Sequence, residues 1–172
     1  MRTIKNLVII LIAAVALNSC RKIEQLPSVP RVEFTSFAIF DTVDILGNHS
    51  KGGRLKFYFE DGDGDIGLEA PGKNETDTTN LFFTLFRKKG GNMVEAASND
   101  LLKPSSYRIP YMERLGVNKI LKGTISVTFL YLFYAPGDTI KYDFYIKDRA
   151  LNESNVASTS EIAISVNNIY KK

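Results

Sequence analysis

Residues 54–60, Arg54-Leu55-Lys56-Phe57-Tyr58-Phe59-Glu60, alternate strictly between apolar and polar or amphipathic side chains. A period of two places Leu55, Phe57 and Phe59 on one face and the charged residues on the other, the signature of a half-buried strand. The same period recurs along the chain. Val32–Phe40, Leu81–Arg87 and Met93–Ala97 read as strands, the last two joined by the turn Lys88-Lys89-Gly90-Gly91-Asn92. Thr124–Tyr134 is a long strand with Ile125, Val127, Phe129, Tyr131 and Phe133 in phase. It turns at Ala135-Pro136-Gly137-Asp138 into Thr139–Lys147, where Ile140, Tyr142, Phe144 and Ile146 face inward. Ser160–Val166 closes the series with Ile162, Ile164 and Val166. Residues 98–122 read as irregular, with a short strand near Tyr107–Pro110 and a helical turn near Glu113–Leu115.

About seven short strands punctuated by Gly, Pro, Asn and Asp predict an all-β, immunoglobulin-like antiparallel β-sandwich over residues 31–168, with 169–172 as a tail. A small barrel is the alternative. The 19 Tyr and Phe residues, without any Trp, and a hydrophobic content of 44% supply enough apolar material for a core in a chain of 172 residues.

The first twenty residues are of another kind. Arg2 and Lys5 precede the uninterrupted apolar run Leu7–Leu17, which ends at Leu17-Asn18-Ser19-Cys20. Eleven apolar residues are too few for a bilayer-spanning helix, which takes about 20, and match the core of an export signal. The closing tetrapeptide resembles the lipobox of bacterial lipoproteins, apart from Asn18 where a small residue is usual. That resemblance implies a signal peptide over 1–19, cleaved before Cys20, and acyl chains such as palmitate on that cysteine. Two or more acyl chains hold a protein firmly to a membrane. Residues 20–30, with Pro27 and Pro30, then read as lipidated cysteine and tether. Arg21 follows the cysteine, with no acidic residue there to resemble an inner-membrane retention signal, so the expected location is the cell envelope, at the outer membrane.

Two of the 22 basic residues lie in the signal, leaving 20 against 19 acids. No basic patch with interleaved aromatics is present, which argues against a nucleic-acid partner. Cys20 is the sole cysteine, so no disulfide can form within the chain.

Asp61-Gly62-Asp63-Gly64-Asp65-Ile66-Gly67 alternates carboxylates with residues that let the backbone fold back, so that oxygens converge as a hard cation requires. It is not an EF-hand: Ile66 stands where that loop needs glycine, and Gly72 where it needs glutamate. A second acidic segment, Asp148-Arg149-Ala150-Leu151-Asn152-Glu153-Ser154-Asn155, follows the sixth strand. In an immunoglobulin-like topology the loops after the second and sixth strands share one pole. Asp61 continues the inward phase of Leu55, Phe57 and Phe59, and Asp148 that of Ile140 to Ile146. Asp61, Asp63, Asp65, Asp148 and Asn152 are therefore candidate calcium ligands. Asx turns also build tight loops without metal, and Arg149 or a lysine could neutralise the cluster instead.

The segments 59–68 (FEDGDGDIGL) and 148–155 (DRALNESN), with 80–92 (NLFFTLFRKKGGN) between them, resemble a family of largely uncharacterised lipoproteins of Bacteroidota. These are similar to immunoglobulin-like or cadherin-like domains, so the resemblance implies fold and location rather than chemistry. No catalytic set is evident. The sole histidine, His49, lies in the polar segment Gly47–Ser50, and neither a zinc motif nor a phosphate loop exists. The expectation is a lipid-anchored binding module for a protein or glycan, not an enzyme. Its basis is Leu81–Arg87, where Phe82 and Phe86 face away from Leu81, Phe83 and Leu85, unless segment 98–122 covers them. The alternatives are a structural accessory subunit of an envelope complex and a small hydrolase using paired carboxylates.

Overall fold

A computed structural model describes residues 26–72, 78–113 and 119–172. The signal, Cys20 and the start of the tether lie outside the described residues, as does part of the helical turn expected near Glu113–Leu115. The chain is all-β. Among the described residues nine strands run β1 (Arg31–Val43), β2 (His49–Asp61), β3 (Leu81–Lys89), β4 (Asn92–Glu95), β5 (Leu121–Tyr131), β6 (Thr139–Ile146), β7 (Ala157–Ser158), β8 (Ile162–Ala163) and β9 (Asn168–Lys171).

They form two antiparallel sheets packed face to face. One has the order β5-β2-β1-β9; the other has β4-β3-β6-β7, with β8 also on β6. With β1, β2 and β5 in the A, B and E places and β3, β6 and β7 in the C, F and G places, this is the strand order of an immunoglobulin-like sandwich. β4 pairs with β3, and β9 adds a strand outside β1.

The alternation read from the sequence builds the core. Leu55, Phe57 and Phe59 of β2 are at most 3% exposed, as are Ile140, Tyr142, Phe144 and Ile146 of β6. Aromatic rings meet across the gap between the sheets: Phe57 and Phe144 lie 5.1 Å apart, and Phe37 and Tyr142 5.9 Å. Such pairs add to the free energy of burial itself. Tyr142 brings a buried polar tip, its hydroxyl donating to the Leu102 carbonyl at 2.7 Å and lying 3.1 Å from that of the equally buried Tyr131.

Four expectations need correction. Residues 169–172 are not a tail, because β9 pairs Ile169 with Ala38 and Lys171 with Ser36. The last segment of the tether is docked rather than free, with Pro30 buried and the Pro27 carbonyl accepting the Gly62 N–H at 2.9 Å. Phe133 and Val166 are exposed, not inward. For Phe133 the reason is that β5 ends at Tyr131, opposite Lys51, with no core beyond. For Val166 it is a turn between β8 and β9 that breaks the phase after Ile164. Finally, the described part of segment 98–122 does not cover the outer face of β3. It closes the side of the sandwich: Tyr107 bridges to Leu81, its ring lies 5.7 Å from that of Phe129, and Leu102 and Ile109 are buried.

Candidate metal centre

β2 and β6 deliver their last inward residues to the same pole. Asp61, the final residue of β2, keeps the inward phase and is only 1% exposed. Its Oδ2 accepts the N–H groups of Asp65 at 2.8 Å and Ile66 at 3.3 Å, which curls residues 61–66 into a closed loop. Gly64 supplies the reversal with a left-handed φ of 66°. Ile66 is fully buried and pins the loop to the end of the core. Gly62 sits where the N-terminal segment crosses, and a Cβ there would lie 2.1 Å from the Leu26 carbonyl oxygen.

The curl gathers carboxylates. One oxygen from each of Asp61, Asp63 and Asp65 falls within 4.8 Å of the others. Asp61 Oδ1 and Asp65 Oδ1 are shielded from water, and no hydrogen-bond donor reaches either of them. A buried acceptor left in that state costs about 1–3 kcal/mol, and more when charged. Burial, followed by the carboxylate of Asp63, pushes the Asp61 carboxyl up to about 6 against the pull of the Asp65 N–H. Burial also raises Asp65, reinforced by the negative charges of Asp148 and Asp63 and opposed by Arg149.

The second loop lies against the first. Arg149 N–H donates to the Asp65 carbonyl at 3.3 Å, and Ala150 N–H to Asp65 Oδ2 at 3.2 Å. Asp148, 2% exposed, is held within its own turn. Its Oδ1 accepts the Asn152 N–H at 2.7 Å and its Oδ2 accepts Asn152 Nδ2 at 2.9 Å, while Leu151 takes a left-handed φ of 67° to close the loop. Asp61, Asp63 and Asp65 thus form one cluster. Asp148 and Asn152 stand beside it, bonded to each other, with Asp148 adding negative potential. Arg149 sends its Nη1 to the Gly67 carbonyl at 2.9 Å and stacks its guanidinium 5.1 Å from the centre of the Tyr111 ring.

Three clustered carboxylates, with donor-free buried oxygens on Asp61 and Asp65, are a hard-oxygen set that could hold a cation such as calcium, and a cation there would remove the mutual repulsion. Arg149 lowers the Asp65 carboxyl, as its place in the sequence suggested, but its bond to Gly67 and the contact of the Leu26–Pro27 backbone were not foreseeable from the sequence. The first is a tertiary hydrogen bond, and the second is a main-chain contact that leaves no trace in side-chain pattern. No protein-family model, curated protein or solved structure matches the chain.

Proposed function

We propose that this chain is a calcium-stabilised binding module of the bacterial envelope, similar to the uncharacterised lipoproteins of Bacteroidota and held at the outer membrane by lipid on Cys20. The observation that carries the ion part is the buried, donor-free Oδ1 of Asp61, facing the Asp63 and Asp65 carboxylates. Calcium would be held by these three residues, with Asp148 and Asn152 shaping the neighbouring loop. It would supply charge neutralisation that fixes the pole, with no chemical step.

The binding part is supported by the outer face of β3 and β6. Phe82 and Tyr145 stack there at 5.1 Å, with the Lys147 ammonium 5.5 Å from the Phe82 ring centre and the Lys141 ammonium 5.2 Å from that of Phe86. Half-buried aromatics flanked by charge suit a glycan or peptide ligand. Nothing in the arrangement requires catalysis.

Calorimetric titration of the mature chain with calcium, magnesium as the comparison ion, tests the ion reading. A saturable heat with calcium that disappears in Asp63→Asn supports it, and no heat with either ion removes it. Detergent partitioning of the full chain against Cys20→Ser tests the anchor. The variant is expected in the aqueous phase, and equal partitioning of both would refute lipidation.

A further inference from the structure

The chain enters the sandwich at the acidic pole. Residues 26–30 precede β1, whose pairing with β2 starts at Arg31↔Glu60, next to Asp61. Pro27 and Pro30 have no N–H, so at those two places the segment offers only a carbonyl oxygen. The Pro27 carbonyl accepts the Gly62 N–H at 2.9 Å. The Leu26 carbonyl comes as near: a Cβ on Gly62 would lie 2.1 Å from its oxygen and 2.5 Å from that of Pro27. Gly62 stands between Asp61 and Asp63. The second acidic segment holds the chain just beyond. Asn155 Oδ1 accepts the Val32 N–H at 3.0 Å, and Asn155 Nδ2 donates to the Val32 carbonyl at 2.9 Å. Both loops of the candidate metal centre therefore grip the entering chain.

Docking brings two more oxygens to a loop that already gathers three carboxylates. The cluster is more than a run of acids, because Asp61 is 1% exposed and its Oδ1 is enclosed without a donor. Carbonyl oxygens add to the negative potential there, and the single N–H of Gly62 offsets it only in part. With the cluster empty, docking works against this repulsion. With a cation among the carboxylates, the same oxygens are attracted. A ligand shifts a conformational equilibrium only through such a difference between its two states. Order acts in the same direction. Asp61 and Asp63 flank Gly62, so a cation that fixes their carboxylates also fixes the N–H that Pro27 takes up.

We infer that cation binding at Asp61, Asp63 and Asp65 is coupled to docking of residues 26–30 on Gly62, so that the ion clamps the segment leading to Cys20. This coupling rests on the calcium site proposed above and adds its regulatory consequence. At about 3.3–3.6 Å per residue, the chain from Cys20 to Leu26 reaches at most about 20 Å, and from Cys20 to Arg31 at most about 40 Å. Where Cys20 carries lipid, the ion therefore roughly halves the distance at which the domain can stand from the membrane. The coupling is reciprocal: the factor by which calcium favours docking is the factor by which docking favours calcium.

The test measures calcium affinity by calorimetry and amide exchange over residues 26–32, on the full chain in detergent. Two variants loosen the segment without touching a carboxylate. Gly62→Ala sets a carbon against the Leu26 carbonyl, and because Gly62 does not have a left-handed φ the alanine strains nothing else. The second variant carries glycine at each of positions 26–29, which frees the segment from its own side. The wild type is expected to bind calcium about tenfold more tightly than Gly62→Ala and about threefold more tightly than the glycine variant. Calcium should slow exchange over 26–32 about tenfold in the wild type and far less in the variants. Equal affinity in all three proteins, with exchange over 26–32 indifferent to calcium, overturns the coupling and leaves the ion site standing. No calcium heat in the wild type removes the ion site and the coupling with it. An unchanged β circular dichroism spectrum separates loss of coupling from loss of fold. Should Gly62→Ala fail to fold, the glycine variant decides.

Discussion

Asp61→Asn is expected to stabilise the ion-free protein, although it alters a residue that is 1% exposed and hydrogen-bonded. The side-chain oxygen of asparagine can still accept from Asp65 and Ile66 N–H, so the curl of the loop survives. Its amide nitrogen brings a donor to the oxygens that have none. The size of the effect follows from proton linkage. The carboxyl rises from 3.8 in the unfolded chain to about 6 in the folded one. Between those values the native state holds a proton that the unfolded state has released, so stability falls as pH rises through the window. Above pH 7 the whole penalty is present, on the order of 3 kcal/mol at 1.36 kcal/mol for each pH unit. For a domain of this size that is a rise in Tm of roughly 5–10 °C for the variant. The assay is thermal unfolding in chelator at pH 7.5 and pH 4. The variant should melt higher at pH 7.5 and much closer to the wild type at pH 4, where Asp61 is protonated in the folded chain and only partly ionised in the unfolded one. Added calcium should raise the wild type alone. A variant that melts below the wild type in chelator at pH 7.5 would refute the reasoning.

Three further perturbations probe other parts of the fold. Tyr142→Phe should cost about 1–2 kcal/mol by denaturant titration, because the Leu102 carbonyl and Tyr131 hydroxyl lose their buried partner; no change would mean water replaces the hydroxyl. Arg87→Ala should cost about 2 kcal/mol at pH 7, since the guanidinium lies between Asp100 at 2.6 Å and Asp138 at 2.7 Å. Arg87 holds the Asp100 carboxyl below its usual range, so this stability is present above the unfolded value and is lost as pH falls through the folded one. The cost should therefore shrink in acid, opposite in sign to the pH response of Asp61. Gly62→Ala should undock residues 26–30, because the added carbon meets the Leu26 carbonyl; amide exchange at position 62 is expected to quicken about tenfold or more as its bond to Pro27 opens.

The sandwich was legible wherever alternation coincided with burial, as in β2 at Leu55–Phe59 and throughout β6. It was obscured where glycine replaced a patterned side chain. β2 begins at His49, five residues before the alternation, and includes Gly52, where a Cβ would lie 2.4 Å from the Phe40 ring. Low strand propensity there marks a ring lying over the backbone rather than a loop. His49 accordingly opens a strand, paired with Val43. β9 was illegible because Asn168-Ile169-Tyr170-Lys171 has no alternation to show. Its place comes from pairing with β1, together with the Tyr170 hydroxyl hydrogen-bonded to Ala163. At the acidic pole, phase alone brought Asp61 and Asp148 to one end. The hydrogen bonds that divide them into a cluster and a neighbouring turn depend on loop conformations that pattern does not encode.

The placement of β9 beside β1 also shapes how the molecule comes into being. β1 receives its first neighbour within a short hairpin, but its other flank waits for Lys171 to reach Ser36. β2 likewise waits for β5, and β3 for β6, across long stretches of chain. Contacts so distant in sequence make assembly slow, and the first sheet cannot be finished until β9 arrives. Until β9 docks, one flank of β1 is a bare edge, so an intermediate that lacks β9 offers that edge to misplaced pairing.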